Sequence, residues 1–330
     1  MGKPDFLIPP PAGGFGRAQP ARRGVGKPGF PTPPPADLGG RSPQAEVWGN
    51  QVSPDPHLVG GFGTARPSLL VTDMPIIDCH CHAGKGDGLT GPWDTDAPLR
   101  RYLERAVAAG ITRTVIFPPF HSDYARANRV IARLVAAHPE RFYGFAFVHP
   151  VRDRGRVRAM IHEALRLGLC GIKVHRYDAP ITREICDVAR AARLPILYDV
   201  MGRVEQVELL ATEYPDVNFI IPHLGSFADD WRAQLAFIDH LERHPNIYTD
   251  SSGVRRFDLL EQAVRRAGAH KLLFGSDGPW LHPGIELAKV RALRLLPADE
   301  RLVFAENLLR LIGPRRDNPL RRSQPTAGYA

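Results

Sequence analysis

Asp78-Cys79-His80-Cys81-His82 is a run of five residues in which every side chain can ionise. In an extended strand, residues two apart face the same side. His80 and His82 then point together into one space, and Cys79 and Cys81 point the other way, toward whatever covers the strand. Two imidazoles on one face at this spacing can share one divalent ion. The thiols, facing away, are expected to be small buried packing residues and not metal ligands. With Cys170 and Cys186 they make four cysteines that show no disulfide-framework spacing, as in a reduced, cytoplasmic protein.

More His and Asp residues follow at intervals: His149, His175, Asp199, His223, Asp250 and Asp277, each just after a short apolar run. These runs predict strands over 76–79, 114–117, 143–148, 171–174, 195–198, 219–222, 247–249 and 272–275. Between most of them lie stretches with apolar residues three and four apart. Leu99, Tyr102, Leu103, Ala106 and Val107 form one such face, and Trp231, Leu235, Ile238 and Leu241 form another. Strand-helix alternation repeated eight times over 74–313 is what an α/β chain needs to close a (β/α)8 barrel, with right-handed crossovers. An open doubly wound sheet is the competing architecture, but no G-x-G-x-x-G follows a strand. A barrel of this kind carries its chemistry at the C-terminal ends of its strands. Seven of the eight predicted strands here end in His or Asp.

The sequence resembles the amidohydrolase superfamily, specifically the amidohydrolase-related group of metal-dependent hydrolases, lactonases and aromatic or enoic acid decarboxylases. The resemblance rests on Ile77-Asp78-Cys79-His80-Cys81-His82, Gly171-Ile172-Lys173-Val174-His175, Pro222-His223-Leu224-Gly225, Tyr248-Thr249-Asp250-Ser251-Ser252 and Phe274-Gly275-Ser276-Asp277-Gly278-Pro279, in that order. It implies a distorted barrel, a metal held by His80, His82 and Asp277, and His223 acting on the substrate. One departure stands out. The metal-dependent members end strand five in a histidine ligand, and this chain has Asp199 there. Asp199 could itself ligate the metal, or His175 on the neighbouring strand could supply the missing nitrogen. Some members of the group hydrolyse a lactone without any metal, which leaves a metal-free site as an alternative.

The expected chemistry is metal-assisted hydrolysis of a small, carboxylate-bearing amide, ester or lactone. One Zn2+, or Mn2+, would lower the pKa of a bound water from about 15.7 toward roughly 7. Asp277 would take the water proton, and His223 would polarise the carbonyl or protonate the leaving atom. Lys173 shares a face with His175 and should point inward, paired with a barrel carboxylate. Arg176 and Arg203 stand where loops could bring them to a substrate carboxylate, and Trp280 is expected to line the pocket. The same residues would also serve a decarboxylase, and a non-catalytic binding barrel is the remaining alternative.

Charge points to a small-molecule partner. Of the net +8, residues 1–73 contribute seven basic against five acidic groups, and residues 314–330 four against one. The remaining +3, spread over the central part, gives no electrostatic footprint for nucleic acid. No apolar stretch is long enough to span a bilayer, and no signal peptide is recognisable. Residues 1–73 are rich in Pro and Gly and read as a disordered extension. Met74 just before the first strand suggests that translation starts there. The tail 314–330 reads as a frayed basic end. Self-association is an expectation from the family resemblance alone.

Overall fold

Strands buried on both faces read as continuous apolar runs, and the runs in this chain become parallel strands of that kind. The structure, a computed structural model, describes residues 74–89, 96–228 and 230–313. The expected extension and basic tail lie outside the described residues. The strands are β1 (Ile77–His82), β2 (Arg113–Phe117), β3 (Phe142–Phe147), β4 (Gly171–His175), β5 (Ile196–Asp199), β6 (Phe219–Ile221), β7 (Ile247–Asp250) and β8 (Leu272–Leu273). They hydrogen-bond in sequence order, each parallel to the next. The last seam is closed by the Cys79 N–H donating to Phe274 O at 2.9 Å and by an isolated bridge between Cys81 and Gly278. The fold is a (β/α)8 barrel.

The helices between strands are α1 (Leu99–Ala108), α2 (Tyr124–Ala137), α3 (Val157–Arg166), α4 (Arg183–Ala192), α5 (Glu205–Glu213), α6 (Trp231–Arg243), α7 (Phe257–Ala267) and α8 (Pro283–Arg291). Asp123 and Asp230 start α2 and α6 by accepting the N–H groups of Arg126 and Ala233. One apolar core fills the layer between strands and helices. A second fills the barrel interior, with Ile77, Val115, Phe145, Leu197, Ile220 and Leu273 among its members. No helix among the described residues is long and apolar enough to cross a membrane.

Two local expectations are corrected. Cys79 does not face the helices: it belongs to the interior cluster, and only Cys81 packs in the outer layer. The cause is a register shift in β1 between Asp78 and Cys81, which breaks strict alternation and lets Cys79, His80 and His82 all face inward. In α6, Trp231 and Leu235 are exposed, and the buried face runs through Ala233, Gln234, Phe237, Ile238 and Leu241. Gln234 sets this rotation, because its amide nitrogen donates to the carbonyls of His223 (3.2 Å) and Ser226 (2.8 Å).

Candidate active site

The C-terminal mouth of the barrel opens into a cavity of about 470 Å³. His80, His82, Lys173, His175, Asp199, His223 and Asp277 line its floor and walls, with Phe120, Met201, Ser226, Phe227 and Trp280 around them. Each polar residue stands on a barrel strand or on the loop directly after one.

The β1 pair is fixed from behind. His80 Nδ1 lies 2.8 Å from Asp250 Oδ2, and His82 Nδ1 lies 3.1 Å from Pro118 O. Each acceptor holds the ring proton on Nδ1 and turns the Nε2 lone pair into the cavity, the arrangement a metal-ligating imidazole needs. Both Nε2 atoms face the same oxygen, Asp277 Oδ1, at 3.4 and 3.7 Å. These three groups converge closely enough to hold one ion. Two nitrogens and a carboxylate oxygen suit Zn2+ or Mn2+, so the donor set fits the metal expected from the sequence. Burial, reinforced by the nearby Lys173, pushes His80 down to about 4 and His82 well below its ordinary value, which leaves both rings neutral. Burial pushes Asp277 up to about 7, against the pull of His223 and Lys173.

The backbone beneath this trio is stapled by Asp78. Its Oδ1 accepts the N–H groups of His80 (3.0 Å) and Ser276 (2.9 Å). Its Oδ2 accepts the hydroxyls of Tyr102 (2.7 Å) and Ser276. One carboxylate therefore locks the two ligand-bearing segments together across the barrel seam. Gly275 lies at the same seam, where a Cβ would stand 3.1 Å from both His80 Cβ and Asp250 Cγ, a tight contact that would press on both side chains. Asp277 itself has φ 54°, and His223 has φ 60°. Such left-handed conformations cost a non-glycine residue about 1–3 kcal/mol each and are held only by a rigid surround.

Asp250 and Ser252 are the functional residues that spacing alone left without a role. Asp250 Oδ1 accepts the Ser252 N–H (3.0 Å), the Ser252 hydroxyl (2.6 Å) and the His223 N–H (3.3 Å), while Oδ2 orients His80. Ser252 O lies 2.7 Å from His223 Nδ1 and so receives its proton. Asp250 is held well below the usual carboxylate range: burial would raise it, but His80, His223 and the Ser252 hydroxyl outweigh burial. The signal in the sequence was the run Tyr248-Thr249-Asp250-Ser251-Ser252.

Asp199 and His175, the two candidates for a further ligand, are paired with each other. His175 Nδ1 accepts the N–H of Tyr177 at 3.0 Å, so its proton resides on Nε2, which donates to Asp199 Oδ2 at 3.2 Å. A nitrogen carrying that proton is not a ligand. Asp199 Oδ1 accepts the Met201 N–H (2.8 Å), and His223 Nε2 stands 3.6 Å from Oδ2. Asp199 is held well below the carboxylate range: burial acts upward, but His175, His223 and Lys173 prevail. Neither residue joins the convergent set of His80, His82 and Asp277 among the described residues.

Lys173 is fully buried in β4 and lines the cavity, as its alternation predicts. The expected carboxylate partner is absent: its Nζ makes no hydrogen bond and sits 4.9 Å from the centre of the Phe117 ring. Burial lowers its pKa, and the carboxylates of Asp199, Asp277 and Asp250 oppose that shift. The two arginines expected at the rim do not line the cavity. Arg176 turns toward Gln206 Oε1 at 3.4 Å, and Arg203 is exposed beside Glu205. Both stand on loop segments that lead outward to the helices, and solvation outweighs any pull from the cavity. Trp280 does line it, with its ring centre 4.5 Å from that of His82.

A family model described as amidohydrolase matches residues 77–313. No curated protein sequence matches the chain. Among solved structures, the 5-carboxyvanillate decarboxylase of Sphingomonas paucimobilis is 16% identical, with a TM-score of 0.57 over 72% of this chain and 99% of that one. A dihydroxybenzoic acid decarboxylase from Polaromonas, solved with bound manganese and an inhibitor, is 17% identical (TM-score 0.58, 72% of this chain, 97% of that one). A putative 2-pyrone-4,6-dicarboxylic acid hydrolase from Pseudomonas putida is 20% identical (TM-score 0.57, 72% and 97%). At these identities the three structures establish the fold alone. The profile match covers the whole barrel, and the chain belongs to the amidohydrolase family, whose members include both hydrolases and decarboxylases.

Proposed function

We propose that this cavity hydrolyses a small carboxylate-bearing carbonyl compound, an ester, lactone or amide, with one divalent ion held by His80, His82 and Asp277. The observation that carries this reading is the presence of two separate proton-handling groups next to His80. Asp277 Oδ1 lies 3.4 Å from its Nε2, and the His223 ring lies 5.0 Å from its ring, centre to centre. Hydrolysis needs two such groups, one to take the proton of water and one to protonate the departing atom, whereas decarboxylation needs only an acid.

A divalent ion bound there supplies Lewis-acid polarisation and acidifies water. The chain's own residues do the rest. Asp277, whose Oδ1 faces Nε2 of both His80 and His82, stands where it can take a proton from water. His223 keeps one proton on Nδ1 against the Ser252 carbonyl, and a second on Nε2 would face the Asp199 carboxylate. From Nε2, His223 can deliver a proton to the leaving atom. Lys173, whose buried Nζ has no hydrogen-bond partner, receives the substrate carboxylate. Phe120, Phe227 and Trp280 wall the cavity against water and fit a flat apolar body.

Decarboxylation of an aromatic or enoic acid is the second reading. A carboxyl group raised to about 7 is partly protonated at neutral pH and could deliver its proton to carbon. Two of the three structures above are decarboxylases by name. Turnover in 18O-labelled water separates the two reactions. Substrates to screen are carboxylate-bearing lactones, esters, amides and hydroxybenzoates, with Zn2+ or Mn2+ added. One label retained in the product is the expected result, and carbon dioxide released with no label in the other product would replace hydrolysis by decarboxylation.

A further inference from the structure

We propose that Glu208, His240 and His244 form a second, peripheral site for a borderline divalent ion, Zn2+, Ni2+ or Cu2+, which staples α5 to α6 on the outside of the barrel. His240 lies in the last turn of α6 and His244 caps that helix one turn later. Their rings are nearly parallel, 16° apart with centres separated by 6.0 Å. Glu208 reaches across from α5: its Oε2 lies 3.2 Å from His240 Nδ1 and 3.0 Å from His244 Nε2. The three ligand atoms lie within 4.8 Å of one another.

A cation already stands at this point. Arg243 Nη2 lies 2.9 Å from Glu208 Oε2 and 3.2 Å from His240 Nδ1. A guanidinium can only donate, so the His240 tautomer that accepts from Arg243 at Nδ1 is the one that offers a ligand lone pair there. The proton that His244 Nε2 donates to Glu208 and the Arg243 guanidinium are the two positive groups that an entering divalent ion would displace. The occupant is also easily displaced. The Arg243 side chain is 56% exposed, whereas each imidazole is only 13% exposed and cannot turn away to water.

The donors are pre-positioned by buried polar groups at the ends of α5 and α6. The carbonyl of His244 accepts Lys271 Nζ at 2.5 Å, which fixes the end of α6. Two residues on, Asn246 Nδ2 donates to the carbonyls of Ala211, Tyr214 and Val217 and so ties this turn to the end of α5. Two imidazole nitrogens and one carboxylate oxygen select transition ions over Mg2+ and Ca2+. None of the three residues lines the cavity at the barrel mouth, so the effect of the site is on stability.

The test uses the full chain with His80→Ala and Asp277→Ala, which removes the cavity ligands, titrated with Zn2+ alone by calorimetry and thermal melting. One bound equivalent is expected, with the melting temperature raised by about 5–10 °C at a hundredfold excess over Kd. Adding His244→Ala or His240→Ala should abolish both effects, and Arg243→Ala should tighten binding. No uptake, uptake that survives loss of either imidazole, or weaker binding in Arg243→Ala would each overturn the proposal. Should the double variant not fold, the parent gives the answer by stoichiometry: one fewer equivalent of Co2+, read from its visible spectrum, in His244→Ala than in the parent supports the site, and equal stoichiometry removes it.

Discussion

The barrel buries two lysines, one near each end, and treats them in opposite ways. Lys271, at the entry to β8, donates from Nζ to the carbonyls of His244, Pro245 and Ile247 at 2.5, 3.0 and 2.7 Å. The Nζ of Lys173, in β4, has no hydrogen-bond partner. Each sits 4.9 Å from an aromatic ring centre, Tyr248 for one and Phe117 for the other, so the apolar surroundings are similar. The difference is in the polar partners. Around Lys271, Asn246 and Asn307 likewise spend their amide nitrogens on backbone carbonyls. That end of the barrel is saturated, as a stabilising floor should be, and the mouth keeps an unpaired donor in reserve. A buried donor left unpaired costs stability, and the cost is recovered only when a ligand supplies the acceptor.

The largest effect expected from this contrast is at the mouth. Asp277→Asn should lower turnover by about 10²–10⁴-fold with little loss of stability, because it removes a proton acceptor and a ligand but no support of the barrel. Steady-state kinetics beside a melting curve would show it, and a collapse of stability would mean that Asp277 is structural. At the floor the order should reverse. Lys271→Met strands three carbonyls and should cost about 3 kcal/mol in urea unfolding while leaving kcat unchanged.

Lys173→Met sharpens the comparison most directly. Its stability should stay within about 1 kcal/mol of the parent, since an unpaired buried donor is replaced by an apolar chain of similar size. The KM for a carboxylate-bearing substrate should rise about 10–100-fold, the worth of one charge-assisted hydrogen bond. Destabilisation as large as that of Lys271→Met would erase the distinction between the two ends.

A smaller effect follows from protonation. Asp277 must be ionised to hold a cation, and with its pKa at about 7 it is protonated below that pH, whereas His80 stays neutral down to about 4. Apparent Mn2+ affinity should therefore be level above pH 7 and fall about tenfold per unit below it, one proton being displaced per ion. A competition titration between pH 5 and 8, in about half-unit steps, measures the slope; a flat profile would place Asp277 outside the ligand set. The smallest effect expected is that of Arg203→Ala, which should change KM by less than about twofold, because a solvated arginine beside Glu205 contributes little.

The amino-acid sequence by itself determined a large part of this molecule. Local sequence set the eight strand-helix units, because apolar runs and helical periodicity are properties of neighbouring residues. It also located the polar strand ends, and a barrel gathers those at one mouth. The ligand candidates His80, His82 and Asp277 came from that logic and from the motif order. What the sequence could not determine was the state of each group once gathered. The tautomer of His175, set by the Tyr177 N–H, turns it into a donor to Asp199. The register shift in β1 brings Cys79 inside. The direction of Arg176 and Arg203 and the isolation of Lys173 depend on what packs around them. Asp78 and Asp250 acquire their roles only where β1, β7 and the segment after β8 meet, from residues up to 198 positions apart. Periodicity reports which way a side chain leaves the backbone, but hydrogen bonds between distant segments decide which atom holds the proton and which charge is left free, and those exist only in the folded chain.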